Sequence, residues 1–303
     1  MTNYESMNLY QFQKQFTTNE KCEEYLFKLK WPDGYVCKKC GCKHYFTTKT
    51  RNLNLFECAQ CGYQATVIVD TIFAKTRTEL TKWFIAIFLF AYDKRSISSS
   101  MLSKQIDVTY KTAWLMLHKI RHSIQKHDEK YTLSGIIELD DAYIGAPTEG
   151  EKRGRGTEQT KIIVGLSLNK KGHPQYLKIN VIDDIKGSTI VEFAKKAIQP
   201  NSEIHSDGYR SYLALTKEGY KLENQVYDPK KNPDHLHWLH IIISNLKSFI
   251  SGTYHGLDSK YLQAYIDEFC YRFNRRKHHS TIFNRLLSCC AQNETIKLSE
   301  LRG

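Results

Sequence analysis

SGIIELDDAYIG, residues 134–145, sets three carboxylates inside a run of strand-forming residues. Ile136, Ile137 and Leu139 favour extended backbone, and Gly135 and Gly145 bracket the run, so it reads as a buried strand. Side chains alternate across a strand, which puts Glu138 and Asp140 on one face and Asp141 on the other. A buried carboxylate is costly unless it meets a partner or a metal. The bland alternative is an edge strand whose acids face water.

The chain around this strand has 303 residues, enough for two domains and a substantial core. Hydrophobic content is 41% and charged content 25%, ordinary for a globular protein. Forty-four Lys and Arg against 32 Asp and Glu give a net charge of +12. With a pI near 9.1, an anionic polymer is the natural partner, although a generically basic protein would show the same balance. Four of the nine cysteines fall in two CxxC pairs, which suits a metal better than disulfides. That, and the lack of a signal-peptide pattern at the start, leads us to expect a reducing cytosol. The longest apolar run, residues 83–92, is too short to span a bilayer, so no membrane partner is expected.

Residues 1–30 read as a basic helical segment with no chemistry of its own. The pairs Cys37/Cys40 and Cys58/Cys61 then follow in the spacing C-x2-C-x17-C-x2-C, each with glycine after it. Two intervening residues let both sulfurs of a turn reach one ion, and glycine permits the turn. Four thiolates leave no open coordination position, so the metal expected is structural Zn²⁺. Short strands at 45–50 and 54–57 would complete a zinc ribbon, residues 31–72. Cys42 and His44 lie close enough to be rival ligands and are read as bystanders. Cys22, Cys270, Cys289 and Cys290 read as core or surface thiols.

Residues 80–91 have helical apolar spacing with a wide buried face. A second helix over 96–106, a short turn and a third helix capped by Thr109 suggest a helix-turn-helix DNA-binding region within residues 78–127. Its apolar face is read as Tyr110, Ala113, Trp114, Leu117, Ile120 and Ile124. Lys111, Thr112 and Met116 fall off that face, and Lys111 and Thr112 are candidate DNA contacts. An ordinary helical hairpin is the alternative.

Beyond the opening strand, KRGRG at 152–156 makes Lys152, Arg153 and Arg155 candidate phosphate contacts, or merely a solvated hairpin tip. Strands are expected at 161–168 and 175–182, a helix at 188–198, and a fourth strand at 202–206 that delivers Asp207 and Gly208. Glycine there is expected to let the chain turn. A helix around 236–250 carries Leu236, Leu239, Ile243, Leu246 and Ile250 on one face. His240 and Lys247, seven residues apart, stand nearly in line beside it. The Arg272, Arg275, Arg276 cluster either tracks a DNA backbone or solvates a helix end.

Taken in order, these pieces resemble the bacterial insertion-sequence transposases with an RNase H-like, retroviral-integrase-like DDE-type domain. The likeness is closest to insertion-sequence family 1595. It rests on CxxC…CxxCGYQ at 37–64, TIF at 71–73, KTAW at 111–114, IELDDAYIG at 137–145, SDGY at 206–209, LK…GTYH at 246–255 and DEFCYRFNRR at 267–276.

The resemblance implies a multidomain α+β protein with a DDE-type catalytic domain over 132–280 and a tail over 281–303. It implies that Asp140 and Asp207 are the first two catalytic acids. His240 takes the third position, usually Glu or Asn, and Lys247 follows by seven, a DDHK form. It further implies two-metal phosphoryl transfer with Mg²⁺ or Mn²⁺, and Lys247 near a DNA phosphate. The expected partners are double-stranded DNA (terminal inverted repeats and target) and a second copy of the chain at least. The expected location is the bacterial cytoplasm, at the nucleoid. Two rivals remain open at this level: a DNA-binding regulator with a degenerate nuclease-like domain, and a nuclease that cuts without joining.

Overall fold

The structure, a computed structural model, describes residues 4–50, 53–145, 158–228 and 230–302. It divides into two compact units, Met1–His127 with His278–Gly303, and Asp128–Lys277. No helix among the described residues is long and apolar enough to cross a membrane.

The first unit opens with α1 (Leu9–Gln15), started by a reciprocal cap in which Asn8 and Gln11 each accept the other's backbone N–H. Then comes α2 (Asn19–Lys30). The ribbon is a three-stranded antiparallel sheet in the order β1 (Tyr45–Lys49), β2 (Asn54–Cys58), β3 (Gln64–Ala65). It has little apolar bulk, so aromatic rings make its core: Phe27 lies 5.1 Å from Phe56 and Tyr35 4.8 Å from Tyr45. Glu23 of α2 accepts from the backbone of Asn54 at 2.7 Å, which ties that helix to the ribbon.

Next, α3 (Leu80–Tyr92) is buried nearly all round, as its composition predicts. In the region read as a helix-turn-helix, the two helices are α4 (Ser99–Gln105) and α5 (Tyr110–Asp128). Thr109 caps α5 as expected, accepting from Thr112 N at 3.2 Å. Two positions differ from the sequence reading: Tyr110 is exposed and Met116 is buried. From Ala113 to Ile124 this helix is enclosed on several sides, burying even His118, Lys119 and Arg121. A single apolar stripe does not describe it, and its first turn carries the exposed Tyr110 and Lys111.

The second unit is a five-stranded sheet in the order β6-β5-β4-β7-β8, with β4 (Ile136–Ile144), β5 (Thr160–Leu168), β6 (Pro174–Ile182), β7 (Glu203–Asp207) and β8 (Lys221–Gln225). β4, β7 and β8 run parallel, while β5 is antiparallel to both its neighbours. This mixed sheet with helices on both faces is the RNase H-like arrangement. α6 (Gly187–Ala197) supplies Ile190, Phe193 and Ala194 against Ile137, Leu139, Ile163 and Ile204 on one face. α7 (His237–Thr253) and α8 (Leu262–Asn274) cover the other, with Leu239, Ile243, Leu246 and Ile266 against Ile144, Val164 and Leu177. The 3-10 segment Arg210–Glu218 and β8 are absent from the sequence reading. In β8 (KLENQ) only Leu222 is strongly apolar, so nothing in its composition marks a strand.

The chain then returns to the first unit. α9 (Ile282–Gln292) is no trailing segment. Phe283 lies 5.4 Å from Phe12 and 5.7 Å from Phe88, and Cys290 O accepts from Ile72 N at 3.2 Å. Of residues 281–303, expected to follow the catalytic domain as a tail, the α9 stretch Ile282–Gln292 instead packs into the core of the first unit.

Candidate functional site

β4 and β7 pair in parallel with Glu138 opposite His205 and Leu139 opposite Ser206. One residue further along each strand stand Asp140, midway along β4, and Asp207, the last residue of β7, so the register delivers both acids to adjoining positions where the pairing of the two strands ends. Ligand sites on such sheets sit at the carboxyl ends of strands, as Asp207 does. Asp207 is held by its own turn, its Oδ1 accepting from Tyr209 N at 3.2 Å. The alternation read from the sequence holds. Asp141 faces the α6 side, where Tyr212 Oη donates to its Oδ1 at 3.4 Å, and Glu138 faces α7.

Gly208 owes its place to crowding rather than to turning. Its φ is not among the positive ones, and a Cβ there would collide with the Val226 side chain. The sequence marks the glycine but not the neighbour that requires it.

α7 brings the third group. His240 Nε2 lies 3.5 Å from Asp140 Oδ2; the imidazole is 53% exposed and the carboxylate 14%. The Asp140 carboxylate holds the His240 pKa above the usual imidazole range, with burial opposing and the Glu138 and Asp207 charges assisting. His240 also lines an open pocket with Tyr227, Pro233, His235, His237 and Ile241. Lys247, two turns along α7, is exposed. Two hard carboxylates with an imidazole beside them form a donor set that accepts Mg²⁺ and suits Mn²⁺ better.

The remaining acid of the opening stretch has another role. Glu138 is 6% exposed, and its Oε2 accepts from Leu239 N at 3.0 Å. Burial pushes its pKa up, against the Leu239 N–H that stabilises its ionised form. A second His–carboxylate cluster, Glu203, His205 and Glu223, lies on β7 and β8; His205 Nε2 is 2.8 Å from Glu203 Oε1 and 3.2 Å from Glu223 Oε2.

In the ribbon, the sulfurs of Cys37, Cys40, Cys58 and Cys61 all lie within 4.8 Å of one another. Cys37 and Cys61 are 3.6 Å apart and Cys40 and Cys58 3.5 Å. A tetrahedron of Zn–S bonds of about 2.3 Å has edges of about 3.8 Å, so the four thiols fit a single ion. Gly41 and Gly62 have φ of 76° and 65°, the left-handed turns that follow each pair. Burial opposes ionisation of Cys58, but the Cys61 and Gln60 N–H groups and the neighbouring thiols hold its pKa down at about 6. Cys42 and His44 are not in the cluster.

The basic candidates separate. Arg272 makes a pair of hydrogen bonds to the buried Glu268, the shorter 2.8 Å. Arg275 forks onto Asp128 at 2.6 and 2.9 Å and stacks on Tyr271, 3.7 Å from the ring centroid. Arg276 donates to the backbone carbonyls of Pro174, Gln175 and Phe273. These three guanidiniums bind their own unit together. Lys111 is exposed and Thr112 half-buried at the start of α5. Lys152, Arg153 and Arg155 lie outside the described residues.

Comparison with known proteins bears on the same two regions. The ISXO2-like transposase domain matches residues 132–274, and the transposase zinc-ribbon domain matches residues 17–64. Together they take in well over half of the chain. An uncharacterized protein in transposable element ISH50 of Halobacterium salinarum is 24% identical over 221 residues, 68% of this chain and 72% of that one. Among solved structures, the Mos1 strand transfer complex is similar at 12% identity and a TM-score of 0.30, covering 71% of this chain and 78% of that one. The simian T-cell lymphotropic virus intasome is similar at 12% identity and a TM-score of 0.29, covering 56% and 63%. The two domain matches fall in sequence where the four cysteines and the paired acids already stood, and the chain belongs to the ISXO2-like DNA transposases of insertion sequences.

Proposed function

We propose that Asp140, Asp207 and His240 are the catalytic metal ligands of this transposase, and that it cuts and joins DNA at the ends of its insertion sequence. The observation that carries this reading is the convergence where β4 and β7 part: two acids one step past the Leu139–Ser206 pair, with His240 3.5 Å from the first. Mg²⁺ or Mn²⁺ held there would activate the attacking hydroxyl and neutralise charge on the reacting phosphate. Asp140 neighbours Asp207 through the strand register and His240 through the 3.5 Å contact, so these three residues would hold the metal. His240 must be neutral to donate, and the Asp140 carboxylate favours its protonated form, so an ion bound there would have to displace a proton that Asp140 helps to hold. Lys247, exposed on the same helix, is placed to meet a DNA phosphate as a point charge.

Cys37, Cys40, Cys58 and Cys61 hold structural Zn²⁺ in this reading. The ribbon and the first turn of α5, with Lys111 and Thr112, bind the terminal inverted repeats. Two ends must be paired, so the working form on DNA is a dimer or larger, acting in the cytoplasm at the nucleoid.

The test is strand cleavage and joining on a labelled fragment bearing the element's terminal repeat, with Mn²⁺ present. Wild type is compared with Asp140→Ala, Asp207→Ala and His240→Ala. Cleavage with joining in the wild type, lost in all three variants, is the expected result. Cleavage that persists in His240→Ala removes His240 from the ligand set. Cleavage without joining makes the protein a nuclease. Binding without cleavage under any metal makes it a regulator.

A further inference from the structure

We infer that Glu138 is a positioning residue: from the strand that carries Asp140, its carboxylate caps the helix that carries His240 and thereby sets the spacing of the two. The inference rests on the proposed ligand set and adds the element that holds it together.

α7 starts without a cap of its own. Leu236, at the N-cap position, has a left-handed φ of 54° and no side-chain hydrogen bond to the first turn. The first N–H groups of a helix have no partner within it. One of these, Leu239 N, is satisfied by Glu138 Oε2 at 3.0 Å, from 101 residues away in the chain. Local caps are common and inexpensive, but they call for an extended N-cap backbone, and Leu236 is left-handed. A nearly buried carboxylate is an expensive substitute. What it adds is a tie between two elements.

The tie falls between the two ligands. Glu138 precedes Asp140 by two residues on the same face of β4, and Leu239 immediately precedes His240. Strand pleat and helix pitch are rigid over such short distances, so a bond between 138 and 239 restrains the 3.5 Å approach of 140 and 240. Outer partners that orient metal ligands act in this way, and their loss costs roughly 10–100-fold in metal affinity or activity. The charges that face Glu138 are His205 from β7 and His237 and His240 from α7. Charge is therefore the competing explanation, and the test must separate it from the tie.

Glu138→Gln keeps an acceptor for Leu239 N and loses the charge. Glu138→Ala loses both. Mn²⁺ binding to the full-length protein without DNA, followed by the electron-spin signal of free Mn²⁺, reads the site independently of catalysis; melting curves and binding to a terminal-repeat fragment check that each variant is folded. Expected are a Mn²⁺ dissociation constant raised about 10–100-fold in Glu138→Ala and within about threefold of wild type in Glu138→Gln. Should Glu138→Ala not fold, Glu138→Leu, which fills the space without an acceptor, takes its place. A folded Ala or Leu variant with wild-type Mn²⁺ affinity overturns the inference. So does a Gln variant as weak as Ala, which assigns the effect to charge. If Asp140→Ala and His240→Ala both bind Mn²⁺ as wild type does, the ligand set itself falls and takes the inference with it.

Discussion

His240 Nε2 approaches Asp140 Oδ2 to 3.5 Å from a helix that begins about a hundred residues further along the chain. In the proposed ligand set an imidazole stands where the resemblance leads one to expect a carboxylate or an amide. The site carries one negative charge fewer than a three-acid site, and one softer donor. We expect cleavage to be faster with Mn²⁺ than with Mg²⁺ across a concentration series. His240→Glu should reverse the order. Equal rates with both ions in the wild type would refute the assignment.

The same contact predicts a pH dependence. A metal ion must displace the proton from His240, whose pKa the Asp140 carboxylate holds above the ordinary value. The protonated form therefore persists to higher pH than in a free imidazole. Mn²⁺ affinity should fall as pH drops through that raised pKa, by up to about tenfold per unit, and level off above it. In His240→Gln the slope should flatten. Titrations of free Mn²⁺ at a series of pH values measure both.

Arg272 and Arg275 sit in a sequence cluster that reads as DNA-binding, yet each is engaged within its own unit. Arg272→Ala leaves Glu268, which is fully buried, without its cation. Stripping one partner from such a pair costs about 3–5 kcal/mol. Chemical denaturation should register that loss, while the salt dependence of DNA binding stays as in wild type. Lys111→Ala should do the reverse, keeping stability and lowering the salt slope by about one.

Asp267 predicts a further effect of pH. Burial, with Asp128 and Glu129 nearby, raises its pKa to about 7; Gln263 donates to one oxygen, while Oδ2 is sealed without a hydrogen-bond partner. A raised acid binds its proton more tightly when folded. Its contribution is neutral at low pH and becomes destabilising as pH climbs from about 4 to about 7, at up to about 1.4 kcal/mol per unit. Asp267→Asn should therefore raise the melting temperature at pH 8 and change it little at pH 4. A uniform shift at both values would contradict the titration.

The ribbon offers a direct test of its metal. Cys58→Ser should abolish stoichiometric zinc and unfold the ribbon, because the sheet's small aromatic core does not suffice alone. Zinc content by atomic absorption and loss of terminal-repeat binding are the readouts. A Cys42→Ser variant should keep its zinc.

How much of this was legible beforehand depended on whether the signal was local. The CxxC pairs, the 136–144 strand and the apolar face of α7 follow from spacing and periodicity, and the structure places them within a residue or two. What escaped was set by contacts between distant residues. Gly208 is constrained by Val226, eighteen positions later. Glu138 reads only as a strand acid on the face of Asp140 until its bond to Leu239 is seen. The arginines read as a surface cluster because Glu268 and Asp128, which neutralise two of them, carry no mark of their role. The TIF stretch is recognisable as a pattern, but its packing task, with Ile72 bonded to Cys290, involves the far end of the chain.

That return of α9 to the first unit reverses the usual order of assembly on the ribosome. Nascent domains generally fold in the order in which they emerge. Here Phe12 and Phe88 are made early, and Phe283, which packs against both, only after the whole 128–277 unit has been translated. The RNase H-like unit has its full complement of residues first, while the segment bearing the ribbon and α5 waits for its last helix. A newly made copy thus has every residue of the unit that holds Asp140, Asp207 and His240 before the core around α3 and α5 can close.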